Sequence, residues 1–332
     1  MSMLDPIRIS VAMCTHNGRD FLPQQLHSIA SQSRLPDELV ICDDYSSDGS
    51  DALADDFARS APFSVRVIRN PRNLGSTASF ANMISCCDGN IIVLADQDDF
   101  WYAHKLERIA AEFAAPSAPV AVFSDAELID SCSRRLGIRL WQSFYFTARE
   151  QTRFTEGNAL SVLVKHPVVT GATMAFQKRF LDLLLPIPSN HIHDSWIAFL
   201  LAACGPFQPI TDPLMQYRRH STQQVGPGQV TLRARLASAR KTGGDFYLEE
   251  SQRFRQLYER LAQRGPDLPG AASALREIEA KISHREHRAR LPHSSLDRVR
   301  RILREAVNGG YWRYSEGWES IAKDLFFYEQ QN

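Results

Sequence analysis

Up to residue 96 the chain alternates short apolar runs with amphipathic stretches, and this alternation narrows the fold more than any other feature. IRISVAM (7–13), ELVICDD (38–44), FSVRVIRN (63–70) and NIIVLAD (90–96) read as strands. Between them, FLPQQLHSIASQS (21–33) places Leu22, Leu26 and Ile29 on one helical face. SDALADDFARS (50–60) reads as a second helix with a Ser N-cap, and TASFANMISCC (77–87) as a third. Continuously apolar strands separated by helices predict an α/β fold with a parallel sheet covered on both faces. Ligands of such sheets bind beyond the carboxyl ends of the strands. Asp43, Asp44, Asp96, Asp98 and Asp99 are then expected on one rim.

The chain has 332 residues, zero formal net charge and 44% hydrophobic residues, enough for a sizeable core. Neutral charge and the lack of a recognition motif argue against nucleic acid as a partner. Six cysteines without a CxxC pair give neither a zinc site nor a disulfide scaffold, and point to a reduced, cytoplasmic protein. The adjacent Cys86 and Cys87 read as helix packing. MSMLDPIRISVAM lacks a basic leader with a long apolar region, so no signal peptide is expected, and no apolar run is long enough to span a bilayer. There is no GxGxxG after the first strand and no GxxxxGK[ST], which disfavours a dinucleotide dehydrogenase or a P-loop enzyme.

The stretch IIVLADQDDFW (91–101) runs five apolar residues into three aspartates. Three clustered carboxylates repel one another unless something positive sits between them. At an extended strand end, Asp96 and Asp98 point the same way and can face one ligand. Such oxygen donors suit Mn²⁺ or Mg²⁺ bridging to phosphate. The competing reading makes Asp98 or Asp99 the N-cap of a helix WYAHKLERIAAEF. NPRNLGSTASFAN (70–82) contains Asn73 and Gly75 and can offer backbone N–H groups to an anion. Asp194 has two readings as well, a functional carboxylate or the cap of SWIAFLLAACG. His220 reads either as a ligand or as an ordinary packed histidine.

Residues 117–225 mix strand, turn and helix signals and continue the first domain. After GPGQ (226–229) the chain becomes polar and helix-forming. Between 231 and 305 there are 17 Lys/Arg against 10 Asp/Glu, a local excess of +7. The expected division is a catalytic domain over 1–228 and a mostly helical region over 229–332. The aromatic end, with Tyr311, Trp312, Tyr314, Trp318, Phe326, Phe327 and Tyr328, is expected to pack on the catalytic domain or a second subunit. Contact with anionic lipid is the other reading.

VAMCTHNGRDFLPQQLHSIASQS, ELVICDDYSSDGS, NLG, LADQDDFW, TGATMAF, HDSW and YRRHSTQQVG occur in the order seen in family 2 glycosyltransferases. DQDDFW, HDSW and YRRH together most resemble the bacterial rhamnosyltransferase-like branch. The resemblance spans about residues 7–226. It implies a GT-A (Rossmann-like nucleotide-diphospho-sugar transferase) fold, Mn²⁺ or Mg²⁺, and inversion at the anomeric carbon. It further implies a nucleotide-sugar donor, dTDP-rhamnose or a UDP-sugar. The acceptor would be a hydroxyl of a glycan or lipid-linked saccharide, at the inner face of a bacterial plasma membrane. Carried over by position, Thr15 and Asn17 would line the nucleotide pocket, and Asp43 and Asp44 would contact base and ribose. Asp96 and Asp98 match the DxD pair at metal and diphosphate, and Asp194 matches the catalytic base. Gly171, Ala172 and Thr173 match the acceptor-side segment. Arg218, Arg219 and His220 fall where the family engages diphosphate or metal. CTHN and HDSW depart from the commoner forms of those motifs, which leaves nucleotide preference and the part of His193 open. A nucleotidyltransferase fits less well, because the N-terminal region lacks a basic Gly-rich triphosphate loop. A non-catalytic nucleotide-sugar-binding module is the non-enzyme alternative.

Overall fold

The computed structural model describes residues 6–220, 243–265, 268, 270–292 and 294–326. It divides into two compact units, Met1–Gly157 with Val168–Pro227, and Asn158–Pro167 with Gly228–Asn332. The expected cut at 228/229 lies outside the described residues. The segment 158–167, expected in the first domain, groups with the C-terminal region.

The first unit opens with β1 (Ile9–Thr15), α1 (Leu22–Ala30), β2 (Glu38–Asp43), α2 (Ser50–Ser60), β3 (Ser64–Arg69), α3 (Ser76–Ser85) and β4 (Ile91–Ala95). These are the seven elements expected from the alternation, with ends moved by at most two or three residues. β1, β2 and β4 are buried along nearly their whole length, so both faces are covered, as continuous apolar runs require. β3 is the exception. It is partly exposed, carries Arg66 and Arg69, and forms the sheet edge, where polar side chains discourage further pairing. The cap of α2 also differs from expectation. Gly49 occupies the N-cap at φ +90°, and Asp48 Oδ1 accepts from the Ser50 N–H at 3.0 Å.

The remaining strands are β5 (Phe100–Trp101), β6 (Ala121–Asp130), β7 (Arg135–Arg139), β8 (Met174–Gln177) and β9 (Phe207–Arg219). The nine-stranded sheet runs β3-β2-β1-β4-β8-β6-β9-β5, with β7 paired to β6. Strands β1 to β4 are mutually parallel; β8 is antiparallel to both β4 and β6, and β9 is parallel to β6. This topology brings distant segments to one rim. Val93 pairs with Ala175, so the start of β8 lies beside the end of β4. Since β6 and β9 run with β4, the end of β9 reaches the same rim. Phe100 pairs with Gln216, which holds the aspartates after β4 against residues 218–220.

The core behind that rim includes Ile9, Val11, Met13, Leu39, Ile41, Val93 and Leu106. Phe123 adds an aromatic group, with ring centroids 5.4 Å from Trp141, 5.8 Å from Phe146, 5.2 Å from Phe154 and 5.4 Å from Phe207.

The second unit is helical: α10 (Gly244–Arg264), α11 (Ala271–Ala289), α12 (Ser295–Val307), α13 (Gly310–Tyr314) and α14 (Trp318–Phe326). The aromatic end divides. Tyr311 and Tyr314 are buried, Trp312, Trp318 and Phe326 are exposed, and Phe327 and Tyr328 lie outside the described residues. Inside the unit Arg288 forms a two-pronged pair with Asp324, Nε to Oδ2 at 2.7 Å and Nη2 to Oδ1 at 2.8 Å. Tyr311 donates its hydroxyl to Asp324 Oδ2 at 2.7 Å. A buried pair of this kind fixes one packing arrangement, because breaking it leaves an uncompensated charge.

His284 sits in the same network. Its Nδ1 lies 2.6 Å from Glu305 Oε1 and its Nε2 lies 2.8 Å from Ser315 Oγ. Ser315 Oγ also accepts from Arg288 Nη1 at 2.8 Å. Burial, outweighing the Glu305 hydrogen bond, lowers the pKa of His284 from 6.5 to about 4. Because the folded pKa lies below the unfolded one, the unfolded chain takes up a proton first as pH falls. The contribution is intact above pH 6.5 and is lost between 6.5 and about 4, by about 3 kcal/mol. Urea unfolding across that window should give a shallower pH dependence for His284→Gln than for the parent.

Candidate active site

The rim is built from the ends of β1, β2, β4, β9 and the turn before β8. Gln97 joins the first and third of these. Its Oε1 accepts from Thr15 Oγ1 at 2.7 Å and from the His16 N–H at 2.9 Å, and its Nε2 donates to the His16 carbonyl at 3.1 Å. Gly18 passes so close that a Cβ there would lie 2.0 Å from Gln97 Oε1. Asn17 takes φ +47° and accepts from the Ser47 N–H at 2.9 Å through its side chain. Asn73 reaches the same place, with Nδ2 3.2 Å from His16 Nε2. Thr15, Asn17 and Asn73 therefore meet around His16, a residue the sequence reading did not single out.

Asp43 and Asp44 are both buried. Asp43 accepts from the Ser46 N–H at 3.0 Å. Asp44 accepts from the Leu74 N–H at 2.7 Å, the Gly75 N–H at 2.8 Å and Asn70 Nδ2 at 2.9 Å. These hydrogen bonds outweigh the effect of burial and hold its carboxyl below the usual range. The N–H groups expected to be offered to an outside anion by the loop at Asn73 and Gly75 are thus taken by Asp44.

Neither Asp98 nor Asp99 caps a helix. The expected helix from Trp101 begins instead at Lys105 as α4 (Lys105–Phe113), because Phe100 and Trp101 pair with β9. Asp98 Oδ2 lies 2.6 Å from His220 Nε2, and that imidazole packs on the Phe21 ring with centroids 5.0 Å apart and planes tilted by 30°. Asp99 Oδ1 accepts from the Arg218 N–H at 3.0 Å, while its buried Oδ2 has no hydrogen-bond partner among the described residues. Asp96 keeps part of its surface accessible. Burial, then the negative charges of Asp98 and Asp194, push its carboxyl up to about 7 against the opposing pull of Lys105.

Asp194 is likewise not a cap. It is the second residue of α9 (His193–Ala202), whose N-cap is Ile192. Its Oδ2 accepts from the Gly171 N–H at 3.2 Å and its Oδ1 from the Ser195 N–H at 2.6 Å. Gly171, Ala172 and Thr173 form a single 3₁₀ turn leading into β8. A Cβ on Gly171 would stand 3.1 Å from His193 Nε2 and 3.3 Å from Asp194 Cβ, so a glycine lets this turn close on the carboxylate. His193 stacks on Phe80 at 3.9 Å, and burial lowers its pKa, which keeps it neutral.

Arg218 differs from expectation. It is 1% exposed. Its guanidinium donates to the Asp98 carbonyl at 2.6 Å, Ser133 Oγ at 2.9 Å and Gln24 Oε1 at 2.6 Å, and lies 4.9 Å over the Phe21 ring. With its N–H groups spent on protein acceptors, it braces the acidic loop and does not fit a contact with diphosphate. Arg219 is partly exposed.

Sequence reasoning missed Lys105. This lysine is completely buried, donating to the Ala172 carbonyl at 2.9 Å and lying 3.9 Å over the Trp101 ring. Burial, outweighing the charges of Asp99 and Asp96, lowers its pKa to about 7. The signal was present in KLERIAAEF. Leu106, Ile109, Ala110 and Phe113 form the buried stripe, and Lys105 stands on the same face.

A description of glycosyl transferase family 2 matches residues 10–184. An uncharacterised glycosyltransferase of Nostoc sp., alr2836, is 25% identical over 218 residues, covering 64% of this chain and 65% of the relative. The chain thus spans just under two thirds of that relative's length. The dTDP-rhamnosyl transferase RfbG of Shigella flexneri is 23% identical over 72% of this chain and 81% of its own. Among solved structures, the mannosyltransferase PcManGT of Pyrobaculum calidifontis, in complex with GDP-Man and Mn²⁺, superposes with a TM-score of 0.54. It is 16% identical, and the match covers 96% of this chain and 85% of that one. The likeness to this solved structure extends to the fold, and the family match over residues 10–184, more than half of the sequence, shows that the chain belongs to glycosyl transferase family 2.

Proposed function

We propose that this protein is an inverting, divalent-metal-dependent glycosyltransferase that moves a sugar from a nucleotide donor to an acceptor hydroxyl during bacterial surface polysaccharide synthesis. The observation that carries the reading is the convergence of Asp96, Asp98 and Asp194, from two separate segments, on the carboxyl-terminal rim of the sheet. The name of RfbG supports a dTDP-deoxysugar donor, and UDP-sugars are the other class to test.

A metal fits this donor set on chemistry. Among the described residues no three His, Cys, Asp or Glu side chains gather as a ready-made cation site. Mg²⁺ and Mn²⁺ sites of nucleotide enzymes need fewer, because one or two protein donors suffice when phosphate and water complete the shell. Asp96, Asp98 and His220 are the donors available, and Asp96 faces the negative charges of Asp98 and Asp194, which a cation would relieve. When bound, the cation supplies Lewis-acid charge to the departing diphosphate.

The chain's own residues do the rest. Thr15, Asn17 and Asn73, around His16, together with Asp43, line the nucleotide side. Asp44 acts by fastening the loop at Gly75. Arg219 adds positive charge for the diphosphate. Asp194 takes the proton from the attacking hydroxyl, and the Gly171 and Ser195 N–H groups fix the orientation of its carboxylate. Gly171, Ala172 and Thr173 border the acceptor. One base and one displacement, without a covalent intermediate, give inversion.

Donor hydrolysis without acceptor tests the reading. One nucleotide sugar should release its nucleoside diphosphate when Mn²⁺ is present, and a chelator should stop the release. His220→Ala should raise the Mn²⁺ concentration needed. Release that continues undiminished under chelation would remove the metal from this account.

A further inference from the structure

We propose that α12 is a membrane-docking helix that lies on the surface of an anionic bilayer. Its sequence, SLDRVRRILREAV, has one wide apolar face, and packing covers only one side of it. Ile302 is buried with Leu291, Tyr311 and Ile321, and Ala306 packs against the same group. Leu296, Val299, Leu303 and Val307 follow at spacings of three and four and continue the same face beyond the part that is packed. They are 72%, 39%, 58% and 87% exposed. Four large aliphatic side chains in a row along one exposed helix are costly to hydrate and call for a cover.

Charge identifies the cover. Arg300 and Arg304 flank this stripe on its solvent side at helical spacing, and Arg301 stands beyond them. With Pro292 and Asp297 these three arginines line an open cleft. An apolar stripe bordered by arginines is the pattern of a helix lying in the headgroup region, aliphatic groups down and guanidinium groups at the phosphates. The same helical unit also exposes Trp312, Trp318 and Phe326, residue types that favour the interface between water and acyl chains. A second copy of this chain is a poorer cover, because pairing stripe to stripe would set the arginine rows against each other. No described helix is long and apolar enough to cross a membrane, so the contact proposed is one of lying on the surface.

The test is co-sedimentation of the full chain with phosphatidylcholine vesicles, with and without phosphatidylglycerol. Binding should require phosphatidylglycerol and weaken at high salt. Arg300→Gln and Arg304→Gln should each reduce it by about five-fold. Leu303→Asp with Val307→Asp should reduce it at least as far as the two arginine changes together. Because these positions are exposed, thermal stability and donor hydrolysis should stay as in the parent. Failure to sediment with phosphatidylglycerol at low salt would overturn the proposal. Undiminished binding by the Leu303/Val307 variant would overturn it equally. A dimer in solution that the same variant disperses, without vesicle binding, would assign the stripe to a second copy instead.

Discussion

Asp194→Asn should lower sugar transfer by about 10²–10⁴-fold while leaving nucleotide-dependent thermal stabilisation as it is in the parent. The asparagine keeps the size of the side chain and one acceptor oxygen, enough for one of the two N–H groups that donate to Asp194, Gly171 to Oδ2 at 3.2 Å and Ser195 to Oδ1 at 2.6 Å. What it loses is the capacity to take a proton from the acceptor. Since Asp194 is not the cap of α9, the fold does not depend on its charge in the way a capping role would require. The measurement is transfer rate beside the melting shift given by the nucleotide. A variant that melts early or no longer responds to nucleotide would make Asp194 a structural residue that fastens the Gly171 turn.

The second large effect is expected at Lys105. Lys105→Met keeps the length of the side chain but removes the amine that faces Asp96 and Asp99, partly charged at neutral pH with its pKa lowered to about 7, and that donates to the Ala172 carbonyl. The acidic cluster then loses its buried counter-charge, and a buried acceptor is left unpaired. The expected cost is about 3 kcal/mol in urea unfolding. Asp99→Asn should offset part of that loss in the double variant, because it removes a carboxyl that burial and Asp98 already push toward its neutral form. Transfer should fall as well, since Ala172 follows the glycine whose N–H orients Asp194. A Lys105→Met protein as stable as the parent would mean that the lysine does not balance the carboxylates.

Much of the first unit was legible because its signals are local. Continuous burial of β1, β2 and β4 leaves an unbroken apolar run that needs no knowledge of the partner strand. The acidic rim followed from the same pattern, because strand direction alone puts Asp43, Asp44 and Asp96 at one end. What escaped reading depends on pairing at long range. The sequence 101–113 carries a good helical stripe, yet Phe100 and Trp101 join β9, more than a hundred residues away, and the helix starts four residues late. Arg218 looks like a phosphate ligand in YRRH, and only the fold around Gln24, Asp98 and Ser133 shows it spent as a brace. Asp44 and the loop at Gly75 were each read as offering something to a ligand, whereas the structure pairs them with each other. In α12 the sequence showed positive charge, and the structure added that four apolar residues beside it are exposed.

The most direct test of the account is a thermal-shift comparison of UDP, dTDP, GDP and CDP, each with and without Mn²⁺, on the parent and on an Asp96→Ala/Asp98→Ala variant. One nucleotide should stabilise the parent only when Mn²⁺ is present, and the variant should lose this response. A nucleotide that stabilises both proteins equally, with or without Mn²⁺, would contradict the metal role given to Asp96 and Asp98.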